Sequence, residues 1–327
     1  MEKRIKGVSY AKYGYIFCIP FVLGFSLFML YPLVHTIVIS FSNYEGASRY
    51  LSGRFSVLDN PLANYTRLIT ENRLFWTSLS NTLKIWIINF IPQIVLALVL
   101  TAWFTNRRNK IRGKGLFKVL FYMPNIITAG SIAILFSALF SFPIGPVNYL
   151  LELIGVREAP INFTISLSAS QYIVAFIQFW MWYGYTMLIL TSGVLGLNPE
   201  IFEVSEIDGA NGIQQFFFIT LPNLKTILLY MLVTSIVGGL TMFDIPMLFN
   251  DGGPDSATTT LSIFIYRQAF SGSFLLNRAA AASMLAFILI AVLSVGVFYL
   301  LRDKDAARLK KEEKALRRAL EAERRAG

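Results

Sequence analysis

EVSEIDGANGIQQFFFITLP, residues 203–222, lies between two long apolar runs and has the makings of a compact folded unit. Just upstream, Asn198 is suited to cap a helix and Pro199 to its first turn. Glu200 and Glu203 then sit at the positive end of the helix dipole. Gly209 supplies the stop, because a residue without a Cβ tolerates a left-handed turn. Asn211-Gly212 turns the chain into a short amphipathic segment carrying Ile213, Phe216 and Phe217. Pro222 opens the next apolar run at a position that loses no helix hydrogen bond. Two readings fit such a knob: a docking site for another protein, or an interfacial helix resting on lipid headgroups.

The flanking runs set the class. The chain has 327 residues, of which 55% are hydrophobic and 15% charged, whereas a soluble chain is about a quarter charged. The excess falls in runs of roughly 20 residues or more, enough to cross a bilayer. An all-α, polytopic membrane protein with one membrane domain follows. The net charge of +10 does not point to nucleic acid, because the basic residues cluster beside the ends of the runs, where topology signals sit. Cys18 is the single cysteine, which excludes an intramolecular disulfide framework and a Cys-rich metal site. His35, the single histidine, reads as a buried, satisfied side chain.

Six spans are expected, at about 15–41, 79–104, 119–139, 171–195, 224–249 and 279–301. Residues 1–14 form a basic leading segment; it lacks a cleavage pattern, so the first run is retained as a span. After the second run come Arg107, Arg108, Lys110, Arg112, Lys114 and Lys118 without an acid, which places that loop in the cytoplasm. Alternation then puts the loop after the third span outside, the knob (198–222) inside and both termini inside. The tail, 302–327, holds ten basic and six acidic residues and reads as a charged cytoplasmic helix.

Candidate chemistry within the spans is sparse. The aromatic cluster Phe179 to Tyr183 either belts the interface, packs in the core or lines a solute path. Gly238-Gly239 with Thr234, Ser235 and Thr241 permits close helix contact in the fifth span. Asp244, toward the outer end of that span, is a functional candidate by its depth, or else a helix-end carboxylate. Gly252-Gly253-Pro254 belongs to a tight external turn. No phosphate-binding Gly-Lys-Ser loop, HExxH or Cys pair occurs, and the middles of the spans hold almost no charge. A transporter of this kind draws its energy from outside the chain.

Glu203, Gly209 six residues on, and Ile219, Leu221 and Pro222 resemble the EAA loop of binding-protein-dependent ABC importer permeases. Asp208-Gly209-Ala210, Gln214 or Gln215, Phe216 and Thr220 resemble its carbohydrate-importer version. Val204 and Ser205 depart from it, standing where the family has two alanines. Companions lie elsewhere: Phe243-Asp244, Gly252-Gly253-Pro254, Thr259 or Thr260, Tyr266, Ala269-Phe270, Asn81-Thr82, Phe121 to Pro124 and Asn148-Tyr149-Leu150. The likeness covers about residues 15–302 and is similar to the maltose importer's larger membrane subunit, in a short six-span form.

The resemblance implies a type I ABC importer permease fold and a non-catalytic transport subunit in a prokaryotic cell membrane. It implies an ATPase-coupling set of Glu203, Asp208, Gly209, Ala210, Phe216, Ile219, Leu221 and Pro222. Implied partners are a second homologous permease, a dimer of cytoplasmic ABC ATPases that bind the ATP and Mg, an extracellular solute-binding protein and the lipid bilayer. No cofactor is expected in this chain, and no nucleic acid. Beside the likeness, Gln178, Trp182, Tyr183, Thr241 and Asp244 are the candidates for a solute path, since polar and aromatic groups hydrogen-bond and stack on sugar; each also reads as a packing residue, and the sugar site can lie wholly in the other permease. The alternative is an ABC importer permease for another solute, such as glycerol phosphate or a polyol; a neutral solute is preferred, because anions want Arg or Lys near the path. A self-contained carrier would need ion-coupling residues in mid-span, and a membrane enzyme would need a cluster of nucleophile, base or metal ligands.

Overall fold

The computed structural model describes residues 11–106, 111–272 and 274–301. The leading segment 1–10, the basic residues Arg107, Arg108 and Lys110 and the tail 302–327 lie outside the described residues. Long apolar helices dominate, as the composition requires. Among the described residues five are long enough to cross a bilayer singly: Tyr13–Ser40, Arg73–Thr105, Leu167–Leu195, Lys225–Asn250 and Leu276–Leu301. They are the first, second, fourth, fifth and sixth spans. The described residues include no β-ladder beyond the single bridge between Ser42 and Val57.

The third span departs from expectation. It is two helices, Lys114–Ile126 and Ala129–Leu139, bent by 91°. Pro124 occupies the last turn of the first half, Ile127 is extended, and the Thr128 hydroxyl accepts from the Ser131 N–H at 3.3 Å to start the second half. Hydropathy is blind to such a break because both halves are apolar. The fifth span is also interrupted. Its main helix, Lys225–Leu240, ends before Thr241, and Asp244 opens a new short helix, Asp244–Asn250. The Thr260 hydroxyl, itself fully buried, donates at 2.7 Å to the Met242 carbonyl at the break. Asp244 therefore sits in the first turn of a helix, the favourable end for a carboxylate, rather than near the outer end of a continuous one. The loop expected after residue 254 contains a further helix, Leu261–Phe270. The second and fourth spans begin at Arg73 and Leu167, several residues before their apolar windows, because polar residues extend a helix that hydropathy truncates.

The chain divides into two compact units, Met1–Phe75 with Phe264–Leu285, and Trp76–Ile263 with Ala286–Gly327. In the first, a buried polar knot ties the end of the first span to the start of the sixth. Asn64 Nδ2 donates to the carbonyls of Ser40 and Ser42, both at 2.9 Å, and Asn277 Nδ2 donates to Asn64 Oδ1 at 3.1 Å. His35 is half-buried between the rings of Tyr31 and Phe55, so aromatic packing rather than full burial accommodates it.

The second unit carries the candidate site. One apolar cluster joins Ile85, Ile132, Phe136, Ile177 and Ile245; another joins Phe104, Met187, Leu190 and Leu224. The third and fourth spans meet at Gly184, where a Cβ would overlap the Phe121 carbonyl oxygen. Small residues permit this approach, which is how helices pack where lipid supplies no hydrophobic drive.

Candidate functional site: a polar cavity and a capped knob

Between the second, fourth and fifth spans lies a cavity of about 350 Å³. Each wall follows the helical repeat. The second span contributes Trp86, Asn89 and Gln93, and the fourth contributes Gln178, Met181, Trp182, Tyr185 and Thr186. The fifth contributes Met231, Thr234, Ser235, Gly238 and Gly239, and the helix break adds Thr241 to Ile245. Four of the five expected path residues, Gln178, Trp182, Thr241 and Asp244, thus line one space. Tyr183 does not: its ring lies against Phe179 and Phe121, on the packing side of the fourth span.

Several lining groups are positioned by each other. Gln93 Nε2 donates to Thr186 Oγ1 at 2.8 Å, and Trp86 Nε1 donates to Ser235 Oγ at 3.0 Å. The two glycines of the fifth span differ. A Cβ at Gly239 would overlap the Trp86 ring, whereas one at Gly238 would meet nothing within 4 Å. The small-residue pair therefore seats one indole and opens one face of the cavity. Trp86, Asn89 and Gln93 were not among the expected path residues. Their spacing of three and four on one face of an otherwise apolar span is the signal that identifies them.

The knob follows the reading of its residues. Asn198 Oδ1 accepts from the Glu200 N–H at 3.1 Å, and the helix Glu200–Ile207 follows. It ends at Gly209, whose φ of 82° is left-handed. There the Gly209 N–H donates to the Glu206 carbonyl at 3.1 Å and the Ala210 N–H to the Ser205 carbonyl at 2.9 Å. Asn211 and Gln214 then cap each other: the Asn211 N–H donates to Gln214 Oε1 at 2.8 Å, and the Gln214 N–H to Asn211 Oδ1 at 2.9 Å. Gly212–Gln215 and the π-helical turn Phe216–Thr220 lead to Pro222 and the fifth span.

Asp208, Gly209, Ala210 and Ile219 come together with Gln214 and Phe218 around a cleft of about 290 Å³. The other expected coupling residues lie outside it: Glu203 and Pro222 are exposed, and Phe216 and Leu221 half-buried. Ile207, Ile213 and Phe218 are 85%, 72% and 78% exposed. Val204 is exposed too, but Ser205 is buried, and its hydroxyl accepts from Gln215 Nε2 at 3.0 Å.

The turn at Gly252-Gly253-Pro254 is tight, as expected, and packs inward. Asn250 Nδ2 and Thr258 Oγ1 donate to the Gly253 carbonyl at 2.7 and 2.8 Å, and Thr259 Oγ1 donates to that of Gly252 at 2.9 Å. Asn81 Nδ2 donates to the Ser256 carbonyl at 2.7 Å, and Gln171 Nε2 to that of Ala257 at 2.7 Å. The starts of the second and fourth spans are thereby latched to this loop. Among the described residues no group of acids, histidine and cysteine is arranged to hold a metal ion.

Residues 68–310 match the model of the family described as binding-protein-dependent transport system inner membrane component. Among curated relatives, the lactose transport system permease protein LacF of Rhizobium radiobacter is 31% identical over 293 residues, covering 89% of this chain and 94% of that protein. The arabinooligosaccharides transport system permease protein AraP of Bacillus subtilis is 30% identical, covering 85% of each. The fold matches a crystal structure of a bacterial ABC transporter that imports the acidic polysaccharide alginate. The TM-score is 0.72 at 19% identity, over 88% of this chain and 94% of that one. A second structure of an alginate transporter, in complex with an alginate pentasaccharide-bound periplasmic protein, matches with a TM-score of 0.73 at 20% identity, over 92% and 98%.

Proposed function

The chain belongs to the binding-protein-dependent transport system inner membrane component family, and we propose on that premise that it is a permease subunit of an ATP-driven importer of a neutral sugar or oligosaccharide. The observation that carries the substrate class is the cavity. Its walls offer amides and hydroxyls to sugar hydroxyls, and the indoles of Trp86 and Trp182 to the apolar faces of sugar rings. Phosphorylated solutes such as glycerol phosphate would call for a cation, and no Lys or Arg lines it.

The knob supplies the coupling. It joins the fourth span, Leu167–Leu195, to the fifth, Lys225–Leu240, and these are two of the cavity's walls. Double capping makes it rigid, so a partner that displaces it moves both walls together. Asp208, Gly209, Ala210 and Ile219 form the docking cleft, and the exposed Ile207, Ile213 and Phe218 supply apolar contact. The partner is a dimer of cytoplasmic ATPases that bind ATP and Mg; a second homologous permease completes the path, and an extracellular solute-binding protein delivers the sugar. Both termini and the knob then face the cytoplasm of a prokaryotic cell, and this chain performs no catalysis.

The test is reconstitution in proteoliposomes with an ATPase, a second permease and a binding protein that co-purify with it from membranes. ATP-dependent uptake of a neutral oligosaccharide is expected, lost in Gly209→Pro. Uptake by this chain alone, without ATP, would replace the proposal with a self-contained carrier.

A further inference from the structure

The charge of the cavity has a consequence beyond the choice of a neutral solute. Asp244 is the single ionisable Asp, Glu, Lys or Arg side chain among the residues that line it. Apart from Asp244, the three spans that wall the cavity contribute only uncharged groups. Lys84, two residues before Trp86 on the second span, is exposed and does not line it. Among the described residues, the Asp244 carboxylate makes no hydrogen bond and no ion pair, unlike the neighbouring amide of Gln93. The helix break at Thr241 to Phe243 puts this carboxylate at the cavity wall.

An unneutralised carboxylate in a space walled by apolar helices acts on charge at a distance. At about 6–8 Å and an effective dielectric of about 20, two like charges disfavour each other by roughly thirty- to a hundred-fold. Asp244 is exposed, so solvent screening reduces this to about tenfold. The same carboxylate is a strong acceptor for sugar hydroxyls and for an ammonium group. We propose that Asp244 is the charge-selecting residue of this cavity, admitting neutral and amino saccharides and rejecting carboxylated ones such as uronic acid oligomers. The inference rests on the cavity being the solute path, as proposed above.

The test reads charge selection without knowledge of the sugar. The full chain, with Cys18→Ser and Thr241→Cys, is placed in lipid nanodiscs. It is labelled with a cationic (trimethylammonioethyl) and an anionic (sulfonatoethyl) methanethiosulfonate, and each rate is divided by that reagent's rate with a free thiol. The cation-to-anion ratio is expected to be about ten, to fall to within about twofold of one in Asp244→Asn, and to persist in Asp244→Glu. An anionic reagent as fast as the cationic one, or a ratio that survives Asp244→Asn, overturns the assignment. In Asp244→Glu a lost ratio does the same, since that variant keeps the charge. A separate arm asks whether lactose or arabinobiose protects the cysteine. Loss of protection with an intact charge ratio counts against the sugar path and leaves the charge assignment standing.

Discussion

Gln215 Nε2 donates to the hydroxyl of Ser205 at 3.0 Å, and both side chains are buried in the knob. The Ser205 hydroxyl in turn donates to the Phe202 carbonyl at 2.7 Å, so one chain of bonds joins the two halves of the knob. Ser205 stands where the resemblance leads one to expect alanine. Here the departure is structural: the hydroxyl answers a buried amide that would otherwise lose a partner.

Ser205→Ala is therefore expected to destabilise the knob by about 1 kcal/mol, because the Gln215 amide stays buried with one acceptor fewer. A double-mutant cycle with Gln215→Ala, read by thermal unfolding in detergent, checks it. A coupling energy near zero would show that the two groups do not depend on each other.

At Gly209 the outcome depends on backbone rather than space. A Cβ there would meet nothing within 4 Å, but φ is 82°. Gly209→Ala is expected to cost about 1 kcal/mol and Gly209→Asn less, since asparagine tolerates the left-handed region. Gly209→Pro cannot adopt that φ and deletes the N–H that donates to Glu206 at 3.1 Å. Membrane insertion is expected to persist in all three while ATP-dependent uptake is lost in the proline variant; immunoblotting of membranes and uptake assays separate the two effects.

The adjacent glycines of the fifth span should behave differently. Gly239→Ala drives a methyl into the Trp86 ring, whereas Gly238→Ala meets open space. Uptake is expected to fall about tenfold or more in Gly239→Ala and to change little in Gly238→Ala. Adding Trp86→Ala to Gly239→Ala should recover membrane expression if the clash is the cause. Equal losses in both single variants would remove the indole-seat explanation.

Among the cavity-lining residues, Gln178→Ala and Trp182→Ala are expected to reduce sugar-stimulated ATP hydrolysis by the reconstituted complex, each severalfold. Tyr183→Phe should leave it unchanged, because that ring packs against Phe121 and Phe179 away from the cavity. An effect confined to Tyr183→Phe would mean that solute passes on the other side of the fourth span.

The loop latch is testable by stability alone. Asn81→Ala removes the donor to the Ser256 carbonyl at 2.7 Å and the acceptor of Gln171 Nε2 at 3.0 Å. A loss of about 2 kcal/mol is expected, with protease accessibility rising in residues 250–260. Unchanged proteolysis there would show that the loop holds itself.

The caps and the turn of the knob were legible because the bonds that set them are local. Asn198, Gly209 and the Asn211–Gln214 pair each act through backbone groups within a few residues, and their spacing alone places the bonds. Gln178, Trp182, Thr241 and Asp244 were legible as polar or aromatic exceptions in apolar runs. Trp86, Asn89 and Gln93 were equally exceptional, at helical spacing in a largely apolar span. Tyr183 went the other way, because a tyrosine beside Trp182 on a helix points about 100° from it.

Sequence alone determined the class, the number of apolar runs and the capped knob, since hydropathy and capping depend on residue type and near neighbours. Tertiary structure decided the 91° bend in the third span, the break that sets Asp244 at the cavity wall and the convergence of three helix faces on one space. The physical reason is the same in each case. Apolar side chains satisfy a bilayer equally well on a straight or a broken helix, so hydropathy cannot distinguish them. What distinguishes them is packing and the capture of freed carbonyls by distant groups, as Thr260 captures that of Met242.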